Sequence, residues 1–114
     1  MHELAIAASL LDRVQTHVDR LGAVRVMTIN LVVGERAGIV DDSLRFSFEL
    51  LTAGTPAEGA RLNLRRTPMR FRCPRCDRDY SPHGADFRCA DCANVGEVID
   101  DGSELMIESL EVEQ

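Results

Sequence analysis

The chain has 114 residues, of which 45% are hydrophobic and 4% aromatic, and its formal net charge at pH 7 is −6. This length allows one domain or two very small ones, with a core of aliphatic side chains. The apolar runs are shorter than the roughly 20 residues that span a bilayer, and the first residues lack the build of a signal peptide, so we expect a cytoplasmic protein.

The first predicted element is an amphipathic helix over about residues 3–21, ending at Gly22. Its apolar positions recur at steps of three and four residues: Leu4, Ala8, Leu11, Val14 or Gln15, Val18 and Leu21. Residues 25–33 then alternate in hydropathy, which predicts a strand with one face in the core.

A second helix is predicted over about residues 42–53, with Asp41 or Asp42 as its cap. Its apolar side carries Leu44, Phe48 and Leu51, and its stop signal is Gly54-Thr55-Pro56. Alternation returns over residues 60–65 and over residues 105–112, which indicates two further strands.

This order of elements predicts an α+β fold in which two helices pack on a small three-stranded sheet that carries an inserted zinc-ribbon-like subdomain. We expect residues 1–68 and 103–114 to form an α/β domain and residues 69–102 to form the zinc-binding subdomain. The net charge is +6 over residues 61–78 and −7 over residues 97–114. Because the zinc-binding segment lies between two strands of matching length, the last strand is expected beside the second. The opposite charges support this pairing, with Arg61 and Arg65 or Arg66 facing the acids.

The four cysteines form two Cys-x-x-Cys pairs, Cys73 with Cys76 and Cys89 with Cys92, separated by twelve residues. Two such hairpins can place four thiolates at the corners of a tetrahedron, which is the geometry of structural Zn²⁺. A rubredoxin-like iron site uses the same ligands, and disulfides or a redox dithiol are the remaining alternatives. A site closed by four thiolates stabilises a fold and performs no hydrolysis.

His2 stands next to the chain's amino group. The Met1 amine, the His2 amide nitrogen and the His2 Nδ1 can close a five-membered and a six-membered chelate ring on one ion, and planar nitrogen donors suit Ni²⁺ or Cu²⁺. The alternative is an ordinary frayed terminal residue. Of the other histidines, His17 is expected to be a surface or packing residue of the helix, and His83 a solvated residue between the cysteine pairs.

Several motifs together resemble the HypA/HybF family of hydrogenase-maturation nickel metallochaperones over the whole length. They are Met1-His2-Glu3-Leu4, Gly34-Glu35, Leu44-Arg45-Phe46, Gly59-Ala60-Arg61-Leu62, the two Cys-x-x-Cys pairs and Gly102-x-Glu104-Leu105-x-Ile107. Some relatives carry histidines close to each cysteine pair, whereas this chain has only His83 nearby, seven residues after Cys76.

The resemblance implies nickel at Met1, His2 and Glu3, through the amine, the His2 side chain, the backbone of His2 and Glu3, and the Glu3 carboxylate as a further candidate. It implies structural zinc at Cys73, Cys76, Cys89 and Cys92. It also implies delivery of nickel to a [NiFe]-hydrogenase large-subunit precursor alongside the GTPase HypB, with urease accessory proteins as further partners.

The main alternative is a zinc ribbon that binds nucleic acid or another protein, for which the positive stretch over residues 61–78 is the argument. The aromatic residues there, Phe71 and nearby Tyr80, are too few for a stacking surface, and the acidic last strand is expected to fold against the arginines. An enzyme is not expected, because the cysteines are committed to metal, the acids form no recognisable pair and no phosphate-binding loop is present.

Overall fold

A computed structural model of the chain describes residues 2–82 and 84–114. Two helices and six strands follow in the order α1 (His2–Leu21), β1 (Arg25–Gly34), α2 (Asp41–Thr52), β2 (Arg61–Thr67), β3 (Arg70–Cys73), β4 (Arg78–Tyr80), β5 (Glu97–Asp100) and β6 (Leu105–Glu113). The strands form two three-stranded sheets, with orders β2-β1-β6 and β4-β3-β5. The predicted α+β class is confirmed. Within the described residues, neither helix is both long and apolar enough to cross a membrane.

The chain divides into two compact units. The first consists of Met1–Val32, Ile39–Arg65 and Met106–Gln114, and the second of Val33–Gly38 and Arg66–Leu105. Both helices belong to the first unit, and all four cysteines belong to the second. The short segment Val33–Gly38 comes from the first third of the chain, yet it belongs to the unit that contains the cysteines.

α1 packs against α2. The buried face of α1 agrees with the prediction at Val14 and Val18 and differs from it at the other positions. Leu4 and Leu21 are largely exposed. Apolar residues cover more than one side of the first turns of α1, so two stripes have helical spacing and periodicity alone does not choose between them. The stripe that is buried starts one residue earlier: Glu3, Ala7, Leu10, Val14 and Val18.

α2 buries Leu44 and Phe48 as predicted, whereas Leu51 is 37% exposed. Ser47 and Thr52 are buried instead, and their hydroxyls donate to the carbonyl oxygens of the residues four positions earlier, at 2.9 and 2.7 Å. These bonds satisfy the polar atoms and allow hydroxyl residues on the buried side of the helix.

The predicted aspartate cap of α2 is wrong. The N-cap residue is Val40, whose side chain forms no cap hydrogen bond. Asp41 and Asp42 lie in the first turn, where their negative charge interacts favourably with the helix dipole. The backbone N–H of Val40 donates instead to the carboxylate of Glu3, the second residue of α1.

The placement of the last strand beside the second is also wrong. β1 is the central strand, and β6 lies on the other side of it from β2. The predicted charge pairing nevertheless exists, because Nη2 of Arg65 lies 2.6 Å from Oε2 of Glu108. Strands next to a common neighbour are roughly 10 Å apart, a span that an arginine and a glutamate side chain bridge together. Charge complementarity therefore predicted the ion pair but not the strand order.

The polar face of this sheet is joined by side-chain hydrogen bonds across all three strands. Nδ2 of Asn63 donates to Oδ1 of Asn30 at 2.8 Å, and Nδ2 of Asn30 donates to Oγ of Ser109 at 2.9 Å. Buried residues of β1 occur at both odd and even positions, in contrast to the single buried face that was predicted. The burial of β1 therefore does not follow the period of two that a strand with one buried face would show.

The second unit is built on β3, which pairs antiparallel with β4 and with β5. Phe71, at the centre of β3, stacks on Phe87 with ring centroids 5.7 Å apart and contacts Tyr80 at 5.5 Å. The hydroxyl of Tyr80 donates to the Phe87 carbonyl and accepts from the Gly96 N–H. These three aromatic rings provide the small apolar core of the unit.

Two glycines allow close backbone approaches in this unit. A Cβ at Gly34 would lie 2.1 Å from the carbonyl oxygen of Gly102, and a Cβ at Gly96 would lie 2.3 Å from that of Arg72. The N–H of Gly34 donates to the Glu104 carbonyl at 2.6 Å. Only a residue without a side chain fits at either position.

Replacement of Gly96 by alanine is expected to destabilise the second unit by about 1–3 kcal/mol, since a backbone atom stands in the way of the new methyl group. The register pairs Arg72 with Glu97, so relief of the clash would disturb the pairing of β3 and β5. Chemical denaturation measures the change. Val95→Ala is the matched control, because Val95 is 63% exposed; equal stability of the two variants would contradict the expectation.

Candidate functional site

The structure brings the four cysteines together. Cys73 ends β3, and the four Sγ atoms all lie within 4.8 Å of one another. The Sγ atoms of Cys73 and Cys92 are 3.5 Å apart. A tetrahedral ion with metal–sulfur distances of about 2.3 Å requires sulfur–sulfur edges of about 3.8 Å, so small movements of the side chains give the complete site.

Both cysteine pairs lie in turns of the same kind. Asp77 and Ala93 each follow the second cysteine of a pair, and both have a positive φ, of 53° and 63°. Around the second pair, the Ala93 N–H donates to the Cys89 carbonyl and the Cys89 N–H donates to the Asn94 carbonyl, both at 2.8 Å. The turns direct two sulfurs from each hairpin toward one point.

The pKa values of the thiols indicate that the cysteine cluster needs a neighbouring positive charge. The backbone N–H groups of Asp91 and Cys92 lower the pKa of the Cys89 thiol to about 7. The neighbouring Cys92 thiol raises the pKa of Cys76 to about 12. One thiolate therefore forms readily, whereas four together need a cation, and a divalent ion such as zinc supplies that charge.

The burial of the sulfur ligands also fits a structural ion. Cys73 and Cys89 are each 1% exposed, while Cys76 and Cys92 are half-buried. All four cysteines are free thiols, so the disulfide alternative has no support in this geometry. Since four sulfur donors fill a tetrahedron, such an ion keeps no position for a substrate, and its effect is on the stability of the second unit.

The positive stretch is extensively paired with acids. Arg70 and Arg72 both contact Asp79, Arg72 also contacts Asp77, and Nη1 of Arg78 lies 2.5 Å from Oδ2 of Asp91. The last of these ion pairs connects the two cysteine turns. Because the arginines interact with carboxylates, the charge count of residues 61–78 overstates the positive potential that a nucleic acid would meet.

Arg36 is a residue of the second unit that the sequence analysis did not single out. Its guanidinium lies 5.1 Å from the centroid of the Phe87 ring, and Nη2 donates to the Gly84 carbonyl at 2.5 Å. Its backbone N–H donates to the Gly102 carbonyl at 2.8 Å. No short sequence motif predicts this contact, because Arg36 and Phe87 are distant in the sequence.

The predicted nickel residues start the first helix. His2 is the first residue of α1 and its side chain is 58% exposed. Glu3 is buried, and its Oε2 accepts a hydrogen bond from the Val40 N–H at 3.2 Å and lies 3.6 Å from Nε2 of His2. The bond from Val40 holds the pKa of the Glu3 carboxyl below its ordinary value. The predictions for Met1 and His83 fall outside the described residues.

Comparisons with known proteins point to one family. Residues 1–112 match the family described as "HypA: Hydrogenase/urease nickel incorporation, metallochaperone, hypA". A hydrogenase maturation factor HypA of Dehalococcoides mccartyi is 40% identical over 114 residues, which cover 99% of this chain and 95% of that protein. Another, of Chlorobium luteolum, is 35% identical over 114 residues, with 100% and 97% covered.

Solved structures show the same fold. The solution structure of the Ni metallochaperone HypA from Helicobacter pylori covers 97% of both chains with a TM-score of 0.67 at 22% identity. A second solution structure of a HypA protein has a TM-score of 0.70 at 22% identity and covers 98% of this chain and 96% of that one. The sequence matches extend over nearly the whole chain, and this protein belongs to the HypA family of hydrogenase maturation factors.

Proposed function

We propose that this protein is a nickel metallochaperone that binds one Ni²⁺ through Met1, His2 and Glu3 and delivers it to a [NiFe]-hydrogenase precursor. The nickel ligands are the Met1 amine, the backbone nitrogens of His2 and Glu3, and Nδ1 of His2. Four nitrogen donors in a plane suit Ni²⁺ better than Zn²⁺, which prefers a tetrahedron.

The observation that carries this proposal is the position of His2 at the very start of α1, with an exposed side chain. The first four N–H groups of a helix have no partner within the helix. The backbone nitrogens of His2 and Glu3 belong to this set, so nickel can bind them without breaking hydrogen bonds of α1. An exposed imidazole is also accessible to a partner that takes the ion away.

Zinc is proposed as the resident ion of the cysteine site. Cys73, Cys76, Cys89 and Cys92 would hold it, and its contribution is to fold the second unit. A reducing compartment such as the cytoplasm keeps the four thiols available for the metal. Nickel and zinc then occupy separate sites with donors of different softness, nitrogen for the cargo and sulfur for the structural ion.

The proposed partners follow from family membership and from the proposed transfer of a metal ion from this protein to another. A HypB-type GTPase and the large-subunit precursor of a [NiFe]-hydrogenase are the first candidates, and urease accessory proteins are the second. Metal delivery requires no catalytic group in this chain, and we infer that it is not an enzyme. A nucleic-acid-binding zinc ribbon, the alternative from the sequence, receives no support from the arginines, because several of them contact acids.

A titration tests the proposal. Untagged, zinc-loaded protein with its native N-terminus should bind one Ni²⁺ per chain in addition to its zinc, and the complex should be yellow and diamagnetic, as expected for four nitrogen donors in a plane. Absorption spectroscopy follows binding, and metal analysis verifies that zinc remains. If added Ni²⁺ binds only by replacing zinc, or does not bind, the proposed nickel site is wrong.

A further inference from the structure

Glu3 lies in an unusual position for a carboxylate. It is the second residue of α1, yet only 7% of its surface is exposed. Its Oε2 accepts a hydrogen bond from the backbone N–H of Val40, at 3.2 Å. Val40 is the N-cap residue of α2, and its carbonyl accepts the first hydrogen bond of that helix from Leu44. A buried carboxylate requires donors, so the start of α2 holds the Glu3 side chain in one place.

The same oxygen atom faces His2. Oε2 of Glu3 lies 3.6 Å from Nε2 of His2. In the proposed chelate, nickel binds Nδ1, because only this nitrogen closes a six-membered ring with the backbone nitrogen of His2. Nε2 is then the ring nitrogen that carries the proton, and it is the nitrogen on the side of Glu3.

We propose, on the basis of the nickel site proposed above, that the Glu3 carboxylate is a positioning residue for His2 and not a nickel ligand. It accepts a hydrogen bond from the Nε2–H of His2 and so orients the ring with Nδ1 directed toward the ion. The Val40 N–H in turn holds the carboxylate. Metal-binding histidines usually donate their second ring N–H to a carboxylate or carbonyl, which orients the ring and makes the bound nitrogen a stronger donor.

The distance of 3.6 Å is slightly longer than a hydrogen bond. The His2 side chain is 58% exposed and has room to turn, so coordination of Nδ1 is expected to bring Nε2 within hydrogen-bonding distance. Direct coordination by Oε2 of Glu3 would have the opposite effect. It would occupy the lone pair that faces His2 and so remove the acceptor for Nε2–H.

The inference assigns a role in nickel binding to Val40, which has no metal-binding side chain. Val40→Pro removes the N–H that holds Glu3 and leaves every proposed nickel ligand in place. The φ of Val40 is −92°, near the range that proline adopts, and its side chain is 59% exposed. Val40→Ala is the matched control, because it shortens the same side chain and keeps the N–H.

The experiment uses the full chain with its native N-terminus, loaded with zinc, and measures Ni²⁺ affinity by competition with a chelator together with the absorption spectrum. Val40→Pro is expected to bind Ni²⁺ about 10–100-fold more weakly, as outer-shell substitutions do, with an unchanged spectrum. Val40→Ala is expected to match the wild type. Unchanged zinc content and circular dichroism verify that the variants fold.

Glu3→Gln provides a second test that does not depend on the fold of a proline variant. The amide retains the shape of the side chain and is a weaker acceptor for Nε2–H, so a weaker affinity with the wild-type spectrum supports the inference. A changed spectrum in Glu3→Gln would show that the carboxylate is a ligand and would overturn it. Equal affinity of Val40→Pro and Val40→Ala would overturn it too, while the nickel site itself would stand. Only a wild-type protein without nickel affinity would overturn both.

Discussion

Tight Ni²⁺ binding is expected to be lost in His2→Ala, while zinc stays bound. In the proposed site the imidazole closes the six-membered chelate ring, so its removal should have a larger effect than the roughly 10–100-fold loss that follows from removing an outer-shell partner. Competition with a chelator measures the affinity, and metal analysis measures the zinc. The cysteine site should be unaffected, since it lies in the second unit.

His17→Ala is the matched control for this variant. His17 is an exposed histidine on the same helix, and it has the same imidazole without a neighbouring chain terminus. Its replacement should leave nickel affinity unchanged. A protein with residues added ahead of Met1 should behave like His2→Ala, because the amine becomes an amide whose lone pair is delocalised into the carbonyl group. If the extended protein binds Ni²⁺ as tightly as the native chain, the amine is not a ligand.

Loss of one cysteine ligand is expected to unfold the second unit. Cys73→Ala removes a sulfur that is buried at the end of β3, and the remaining three donors should not retain zinc. Metal binding contributes about 10–16 kcal/mol to small zinc modules, far more than a cluster of three aromatic rings can replace. The β4-β3-β5 sheet should therefore be lost, while α1 and α2 remain helical.

Nuclear magnetic resonance can observe both units in one sample. Amide signals of β3 to β5 should collapse in Cys73→Ala and in wild-type protein treated with a strong chelator, and signals of α1 should persist. Ser81→Ala, an exposed residue of the same unit, is the control and should retain zinc and all signals. Zinc-free protein with an intact second sheet would contradict a structural role of the metal.

Several elements were predictable from the sequence because their signals are local. The helices begin and end within a residue or two of the expected positions, since Gly22 and Gly54 interrupt the apolar periodicity. The cysteine cluster was predictable for a similar reason. Two short hairpins that each present two sulfurs need only approach each other to form a tetrahedron, and the spacing of twelve residues allows this.

Other features depend on contacts between distant parts of the chain. The strand order β2-β1-β6 was missed because Arg65 and Glu108 can pair either as direct neighbours or across a strand between them. The start of α2 was missed because its N-cap residue is Val40, whose N–H donates to Glu3, and not Asp41 or Asp42. Capping rules consider only residues next to the start of a helix, so they do not predict a hydrogen bond to a carboxylate on another helix.

The α+β class, the two helices and the cysteine cluster follow from the sequence alone, because periodicity and ligand spacing are visible within short windows. The nickel site at the start of the chain stays a prediction. The buried face of α1, the central position of β1 and the contacts of Glu3 are visible only in the folded chain. Burial depends on both surfaces that pack together, so the sequence of one helix does not determine which of its faces is buried. Two stripes of α1 are apolar enough to pack, and the one that contains Glu3 is buried where α2 offers it the N–H of Val40.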